Sequence, residues 1–380
     1  MSQDTKIWLS LAHMGGKEQD FIKEAFDTNW VVPMGPNVDG FEKELSNYLG
    51  NNVSVAALSA GTAALHLALV MLGVSAGDEV ICQSFTFAAS ANPITYLGAI
   101  PVFVDSEFDT WNMCPVQLEK AIHDRISKGK KVKAIIPVHL YGMPAKMNEI
   151  NAIADKYQIP VIEDAAEALG SSLEGRMCGT LSTQAILSFN GNKIITTSGG
   201  GALISNDDSI VQNARFLATQ ARDAAPHYQH SQIGYNYRMS NVVAGIGRGQ
   251  MLVLKDRVKK RRENNQFYRE KFKNISAISF QNEPDETFYS NFWLTSILIN
   301  PTLAYGKTRE DLRIELEKHN IETRPLWKPM HLQPVFKNSP FYGNGTSESL
   351  FEMGLCLPSG SILSEEELNK VADRVIYFFS

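Results

Sequence analysis

The sequence predicts an α/β protein: a large unit built on a mostly parallel central sheet, followed by a smaller α+β unit. Three observations predict it. Between about Val53 and Ile204, short apolar runs alternate with longer helical stretches, as strands do when helices carry the chain between them. One of those stretches is apolar nearly all round, so it belongs inside the protein. After about Ser240 the texture changes to long charged helical segments with little strand character.

Taken in order, Gly61 to Leu72 is the all-round apolar helix, with Ala63, Ala64, Leu65, Leu67, Ala68, Leu69, Val70, Met71 and Leu72 spread around its circumference. Strands are expected at Glu79 to Cys82, Pro101 to Val104, Val132 to Val138, Ile159 to Glu163 and Ala185 to Phe189. Helices fall between them at Pro115 to Ser127 and Met147 to Tyr157, and Pro115 suits a first turn, where no amide donor is lost. Ser240 to Asn274 reads as one long or broken helix carrying a basic run at Arg257, Lys259, Lys260, Arg261 and Arg262. That run is expected to be a solvated helix face, with a diphosphate contact as the alternative. A strand at Phe292 to Ile299, a helix at Arg309 to Lys318, a Pro-rich loop from Arg324 to Pro334 and a helix at Ser364 to Phe379 follow. Ser364 with Glu367 three residues on resembles a capping box. A boundary near residue 250 divides the chain into residues 1–250 and 251–380.

Composition narrows the function. The chain has 380 residues, 44% of them hydrophobic and 20% charged, enough for more than one packed unit. A formal net charge of −5 argues against nucleic-acid binding, which needs a basic excess to neutralise phosphates. Cys82, Cys114, Cys178 and Cys356 lie far apart, a spacing of reduced buried thiols and not of a disulfide framework or a metal site. The first residues, Met-Ser-Gln-Asp-Thr-Lys, hold no apolar run, and no stretch is long and apolar enough to span a membrane. A cytoplasmic enzyme is the expectation.

Four stretches carry chemistry. Glu163-Asp164-Ala165-Ala166-Glu167 follows a buried strand, so Asp164 sits at its carboxyl end, where parallel sheets receive ligands. A carboxylate there can hold a pyridine nitrogen protonated, or it can be a solvated strand end. Lys193 follows the next strand, precedes two isoleucines, and stands ahead of Gly199, Gly200 and Gly201. A lone lysine is ordinarily a surface group, but in apolar surroundings it becomes an amine nucleophile. Ser188, five residues before it, can donate a hydroxyl to a phosphate. Leu58-Ser59-Ala60-Gly61-Thr62 places small residues where the buried helix begins, either as a phosphate site on free amides or as an ordinary cap by Ser59 or Thr62. Phe87, in Ser84-Phe85-Thr86-Phe87, is either core or a ring that stacks on a flat cofactor.

The order of these parts resembles the DegT/StrS family of sugar aminotransferases, which use pyridoxal phosphate (PLP) and have the fold-type I aminotransferase architecture. The likeness runs from Leu9 to the C-terminal helix. It is specific at Ser59-Ala-Gly-Thr-Ala-Ala-Leu-His, Glu163-Asp-Ala-Ala-Glu, Ser188-Phe-Asn-Gly-Asn-Lys and Gly234-Tyr-Asn-Tyr-Arg-Met-Ser. It implies that Lys193 is the Schiff-base lysine and proton carrier, that Asp164 pairs with the ring nitrogen, and that Phe87 stacks on the ring. It also implies that Gly61, Thr62 and Ser188 hold the phosphate and that Asn236 reaches it from the other subunit of a homodimer with shared sites. Glu167 stands where many relatives have glutamine beside the ring hydroxyl. Some relatives have histidine in place of the lysine and act as dehydratases; this chain keeps Lys193.

The loops Asn190 to Gly201 and Glu322 to His331 look like those of the bacillosamine-pathway members of that family. This implies glutamate as amino donor and a UDP-linked 4-keto-6-deoxy-N-acetylhexosamine aminated at C4, with Arg324, Trp327 and His331 near the sugar nucleotide. Alternatives are a C3 amination on a dTDP- or GDP-linked keto sugar, and a PLP-fold sensor without catalysis. A nicotinamide-dependent sugar dehydrogenase lacks support, since no Gly-x-Gly-x-x-Gly follows the first strand.

Overall fold

The computed structural model describes residues 5–50 and 52–380; residues 1–4, part of the N-terminal stretch without an apolar run, lie outside the described residues. The central layer is built from β1 (Ser54–Leu58), β2 (Glu79–Gln83), β3 (Ile100–Val104), β4 (Val132–Ile136), β5 (Ile162–Asp164), β6 (Gln184–Ser188) and β7 (Gly201–Ser205). β2 pairs in parallel with β3 and β4, and β5 pairs in parallel with β6. Parallel bridges Ile135–Val161 and Val138–Asp164 join these two groups, giving the order β3-β2-β4-β5-β6-β7-β1.

The sheet is mostly parallel, and the exception is β7, which runs antiparallel to both β6 and β1. Its connection to β6, Phe189 to Gly200, forms turns and bends and no crossover helix, so the chain can only double back. That same connection carries Lys193.

Successive strand residues feed opposite faces. Ile81, Val102 and Ile135 pack with Leu118 and Ile122 of the Pro115–Ser127 helix and Ile150 of the Met147–Tyr157 helix. Val80, Cys82, Ile136 and Leu203 pack on the other side with Leu65 and Leu67 of the Gly61–Met71 helix and Leu217. Each such aliphatic side chain contributes ~1.5–3 kcal/mol on burial. The Gly61–Met71 helix is therefore enclosed between the sheet and outer helices, which explains its all-round apolar surface.

The long helical stretch is broken at Leu252 and Val253 into Asn241–Met251 and Leu254–Phe272. The first half packs on the N-terminal helices, and a Cβ at Gly249 would stand 2.7 Å from the backbone nitrogen of Glu18. The second half covers an antiparallel sheet of Ile278–Phe280, Thr295–Ile299, Gly354–Leu357 and Arg324–Pro325. The strand expected from Phe292 begins only at Thr295, because Phe292 has φ 44° and turns the chain. Ser364 and Glu367 form the capping box reciprocally, with N–H to carboxylate at 2.8 Å and N–H to hydroxyl at 3.2 Å.

Several segments cross the expected boundary near residue 250, among them Phe288–Tyr289, which pairs with Ser172–Leu173. Ile7 bridges to Ile321 and is buried with the C-terminal core. Phe341–Tyr342 adds to the outer edge of β3 in parallel, and Asp105 accepts the backbone N–H groups of Asn344, Gly345, Thr346 and Ser347 just beyond it. No helix of the described residues is long and apolar enough to cross a membrane.

Candidate active site

A cavity of about 350 Å³ opens at the carboxyl ends of β5 and β6, beside the start of the Gly61–Met71 helix. The last residues of β5 divide between two environments. Glu163 is turned into the protein, where His139 Nε2 donates to Oε1 at 2.8 Å and Leu181 N–H donates to Oε2 at 2.8 Å. Ala145 N–H donates to His139 Nδ1 at 2.9 Å, which assigns the imidazole proton to Nε2. Cys178 completes this buried cluster, and its ligand-type atoms lie within 4.8 Å of one another.

Asp164 lines the cavity. It accepts from Ser90 Oγ at 2.7 Å and from Ala166 N–H at 3.1 Å, and Thr86 donates in turn to Ser90 at 2.8 Å. Burial pushes its carboxyl above the ordinary range, opposed by these hydrogen bonds and by the charge of Lys193.

Lys193 enters from the turn after β6. Its Nζ lies 3.2 Å from Glu167 Oε1 and 4.2 Å from the centre of the Trp293 ring. Glu167 Oε2 accepts the backbone N–H of Tyr141 at 2.8 Å, and burial raises this carboxyl as well. Tyr141 has φ 56°, a left-handed conformation that costs energy for a non-glycine residue. Its ring lies between Trp293 and Trp327, with centroids 6.4 and 6.5 Å away.

The helix start forms the opposite side. Ala60 is the N-cap residue and no side chain caps the helix, so the alternative of capping by Ser59 or Thr62 is not realised. The first-turn amides can therefore take an anion. The backbone packs tightly here: a Cβ at Gly61 would meet Leu187 O and Ser188 Cβ at 3.1 Å, and one at Gly201 would stand 2.2 Å from the Gly61 nitrogen. An anion cradle, a buried acid and a lysine amine around one enclosed space are the donor set that PLP requires, and the residues fit it.

Gly61, Thr62, Phe87, Asp164, Glu167, Ser188, Lys193 and Trp327 all line this cavity. Phe87 is 51% exposed, 5.1 Å from the Trp327 ring, and the indole Nε1 of Trp327 is buried without a partner. Three other sequence candidates lie elsewhere in the chain. Asn236 is exposed and its backbone bridges to Thr219. Arg324 is exposed and paired with Glu322 at 2.8 Å. His331 lies behind the Ser84–Phe87 segment, 2.7 Å from Ser84 Oγ, 3.1 Å from Glu348 and stacked on Phe341. Ser90, Tyr141 and Trp293 belong to the site and were not anticipated from the sequence. Ser90 lies within reach of the Ser84–Phe87 motif, whereas Trp293 is brought in from far along the chain with no local signal.

The profile of the DegT/DnrJ/EryC1/StrS aminotransferase family matches residues 13–376. EpsN of Bacillus subtilis (strain 168), a candidate pyridoxal phosphate-dependent aminotransferase by name, is 50% identical over 98% of this chain and 96% of its own. GDP-perosamine synthase of Escherichia coli O157:H7 is 37% identical, covering 96% of both chains. The crystal structure of a DegT DnrJ EryC1 StrS aminotransferase from Brucella abortus superposes with a TM-score of 0.89 at 32% identity, over 96% of this chain and 95% of that one. The chain thus belongs to the DegT/DnrJ/EryC1/StrS aminotransferase family and is a PLP-dependent sugar aminotransferase.

Proposed function

We propose that this enzyme moves the amino group of glutamate to C4 of a UDP-linked 4-keto-6-deoxy-N-acetylhexosamine, as a homodimer with shared sites. The observation that carries the reading is one cavity with Lys193, Glu167 and Asp164 at its inner end and the Phe87–Trp327 aromatic pair beside them. Bound PLP supplies an electron sink through which an amino group passes from one carbon skeleton to another. The amides of Gly61 and Thr62, with the Ser188 hydroxyl, hold its phosphate. Asp164, held in place by Ser90 and Ala166, would take the ring nitrogen. Phe87 covers the ring.

Lys193 Nζ would anchor the cofactor and, when free, would carry the proton at the substrate carbon. Glu167 Oε1, 3.2 Å away, steadies the amine when it is free. Trp327 offers its unpartnered indole N–H to the sugar. Arg324, exposed outside the cavity, serves the nucleotide end, whereas both ring nitrogens of His331 are taken by Ser84 and Glu348. Asn236 serves the phosphate of the second copy, which accords with its exposure outside its own chain's cavity.

The UDP-sugar assignment rests on the Asn190–Gly201 and Glu322–His331 loops. A GDP-linked sugar is the second reading, favoured by the 37% identity to a GDP-perosamine synthase. The test supplies glutamate with UDP- or GDP-linked 4-keto-6-deoxy sugars and identifies products by mass and NMR. A C4 amine on the UDP sugar is expected. An inert UDP sugar, or amination at C3, overturns the proposal.

A further inference from the structure

The basic run on the Leu254–Phe272 helix does not form one solvated face. Lys259 is exposed, but Arg261 is only 1% exposed. It falls on the stripe Leu254, Val258, Arg261, Asn265, Tyr268 and Phe272, which helical spacing turns into the protein. No carboxylate is among its hydrogen-bond partners, and its Nε has no partner. Burial, and then the like charge of Arg257, pushes the guanidinium down to about 9. An apolar side chain would fill this space at lower cost in stability, because an ion taken from water without a counter-charge is expensive.

Every partner of Arg261 leads to Lys193. Nη1 donates to the carbonyl of Trp293, whose ring lies 4.2 Å from Lys193 Nζ and whose Nε1 donates to Asn192 O at 2.7 Å. Nη2 donates to Ser10 Oγ at 2.9 Å, and the Ser10 hydroxyl donates to the same Asn192 carbonyl at 2.8 Å. The carbonyl of Lys193 itself lies 3.5 Å from Nη2. The residues preceding and bearing the reactive amine are thus held from three directions through one guanidinium.

We propose that Arg261 is a positioning residue for Lys193: its fork fixes the Asn192–Lys193 backbone and the Trp293 ring against which the amine rests. It lines no part of the cavity, so it acts through these contacts and not on substrate. The charged groups facing the amine are Glu167 and Asp164 from the β5 side, while Arg261 reaches the Lys193 backbone and not its amine.

The test uses the full-length PLP-loaded enzyme with Arg261→Met and Arg261→Lys, read by visible circular dichroism of the bound PLP, by the kcat–KM split for glutamate and by thermal melting. For a folded Arg261→Met, the visible dichroism should weaken and kcat should fall on the order of 100-fold, with KM nearly constant, the cost of misplacing a reacting group by about 1 Å. Lysine keeps the charge but loses the planar fork, so Arg261→Lys should recover only part of both signals. A melting-temperature change with wild-type dichroism and kcat would overturn the proposal, as would full recovery by Arg261→Lys. If the methionine variant does not fold, Arg261→Lys decides alone: lost dichroism supports the proposal and wild-type behaviour refutes it.

Discussion

Gly201→Ala is the sharpest probe of the phosphate cradle. In β7, Gly201 sits between Leu58 of β1 and Ser188 of β6. Its added methyl would stand 2.2 Å from the Gly61 nitrogen and 2.4 Å from the Ala60 carbonyl carbon, both backbone atoms that no rotamer change can move aside. The helix start must shift by roughly 1 Å to restore ordinary contact, enough to pull the Gly61 and Thr62 amides out of hydrogen-bonding range of an anion. Hydrogen bonds to a charged group contribute about 1.5 kcal/mol each at the low end, so losing two costs about 3 kcal/mol, or on the order of 100-fold in Kd for PLP. The assay titrates the cofactor-free enzyme with PLP and, in parallel, with pyridoxal, which lacks the phosphate. PLP should weaken by that factor while pyridoxal changes little. Wild-type PLP affinity in a folded variant, or equal losses for both compounds, would refute the cradle.

Lys193→Ala should abolish turnover and the visible absorbance of lysine-bound PLP; near-normal turnover would remove Lys193 from its role. Asp164→Asn should cut the rate severely with the fold intact, as read by kcat and far-ultraviolet dichroism. The same variant tests the raised carboxyl in cofactor-free protein. A buried acid raised in the native state binds more protons than the unfolded chain above the ordinary carboxylate range, so native stability falls as pH rises there. The melting temperature of Asp164→Asn should therefore gain on wild type more at about pH 7 than at about pH 4, and a constant difference would contradict the shift. Mixing Lys193→Ala with Asn236→Ala subunits should restore activity, because a mixed dimer contains one site with both residues; no recovery, or a fully active monomer by sedimentation, would count against shared sites.

Local physics made much of the fold legible. The Pro115–Ser127, Met147–Tyr157 and Arg309–Lys318 helices and the Ser364 cap follow from short-range signals: proline at a first turn, apolar periodicity and a reciprocal serine–glutamate pair. Asp164 was legible because a strand end is a local property. What escaped is non-local. β7 runs antiparallel because of a connection whose turns carry no strong signal in the sequence. Phe341–Tyr342 is too short for any periodicity to mark it, yet it completes a sheet edge. Arg261 was assigned to solvent from the charge of its neighbours, although the stripe from Leu254 to Phe272 already placed it inward. Trp293, which backs the reactive amine, arrives from a distant part of the chain, and only tertiary packing could reveal it.

The late pairing of Phe341–Tyr342 with β3 has a consequence for biogenesis. Until Phe341–Tyr342 emerges from the ribosome, the outer side of β3 is an unpaired strand edge, with Phe103 and Val104 offering their backbone groups to any extended chain. The N-terminal segment likewise waits for Ile321 before Ile7 can be buried. The sheet is therefore incomplete at its β3 edge through most of synthesis. That edge can pair with other extended chains until Phe341–Tyr342 covers it.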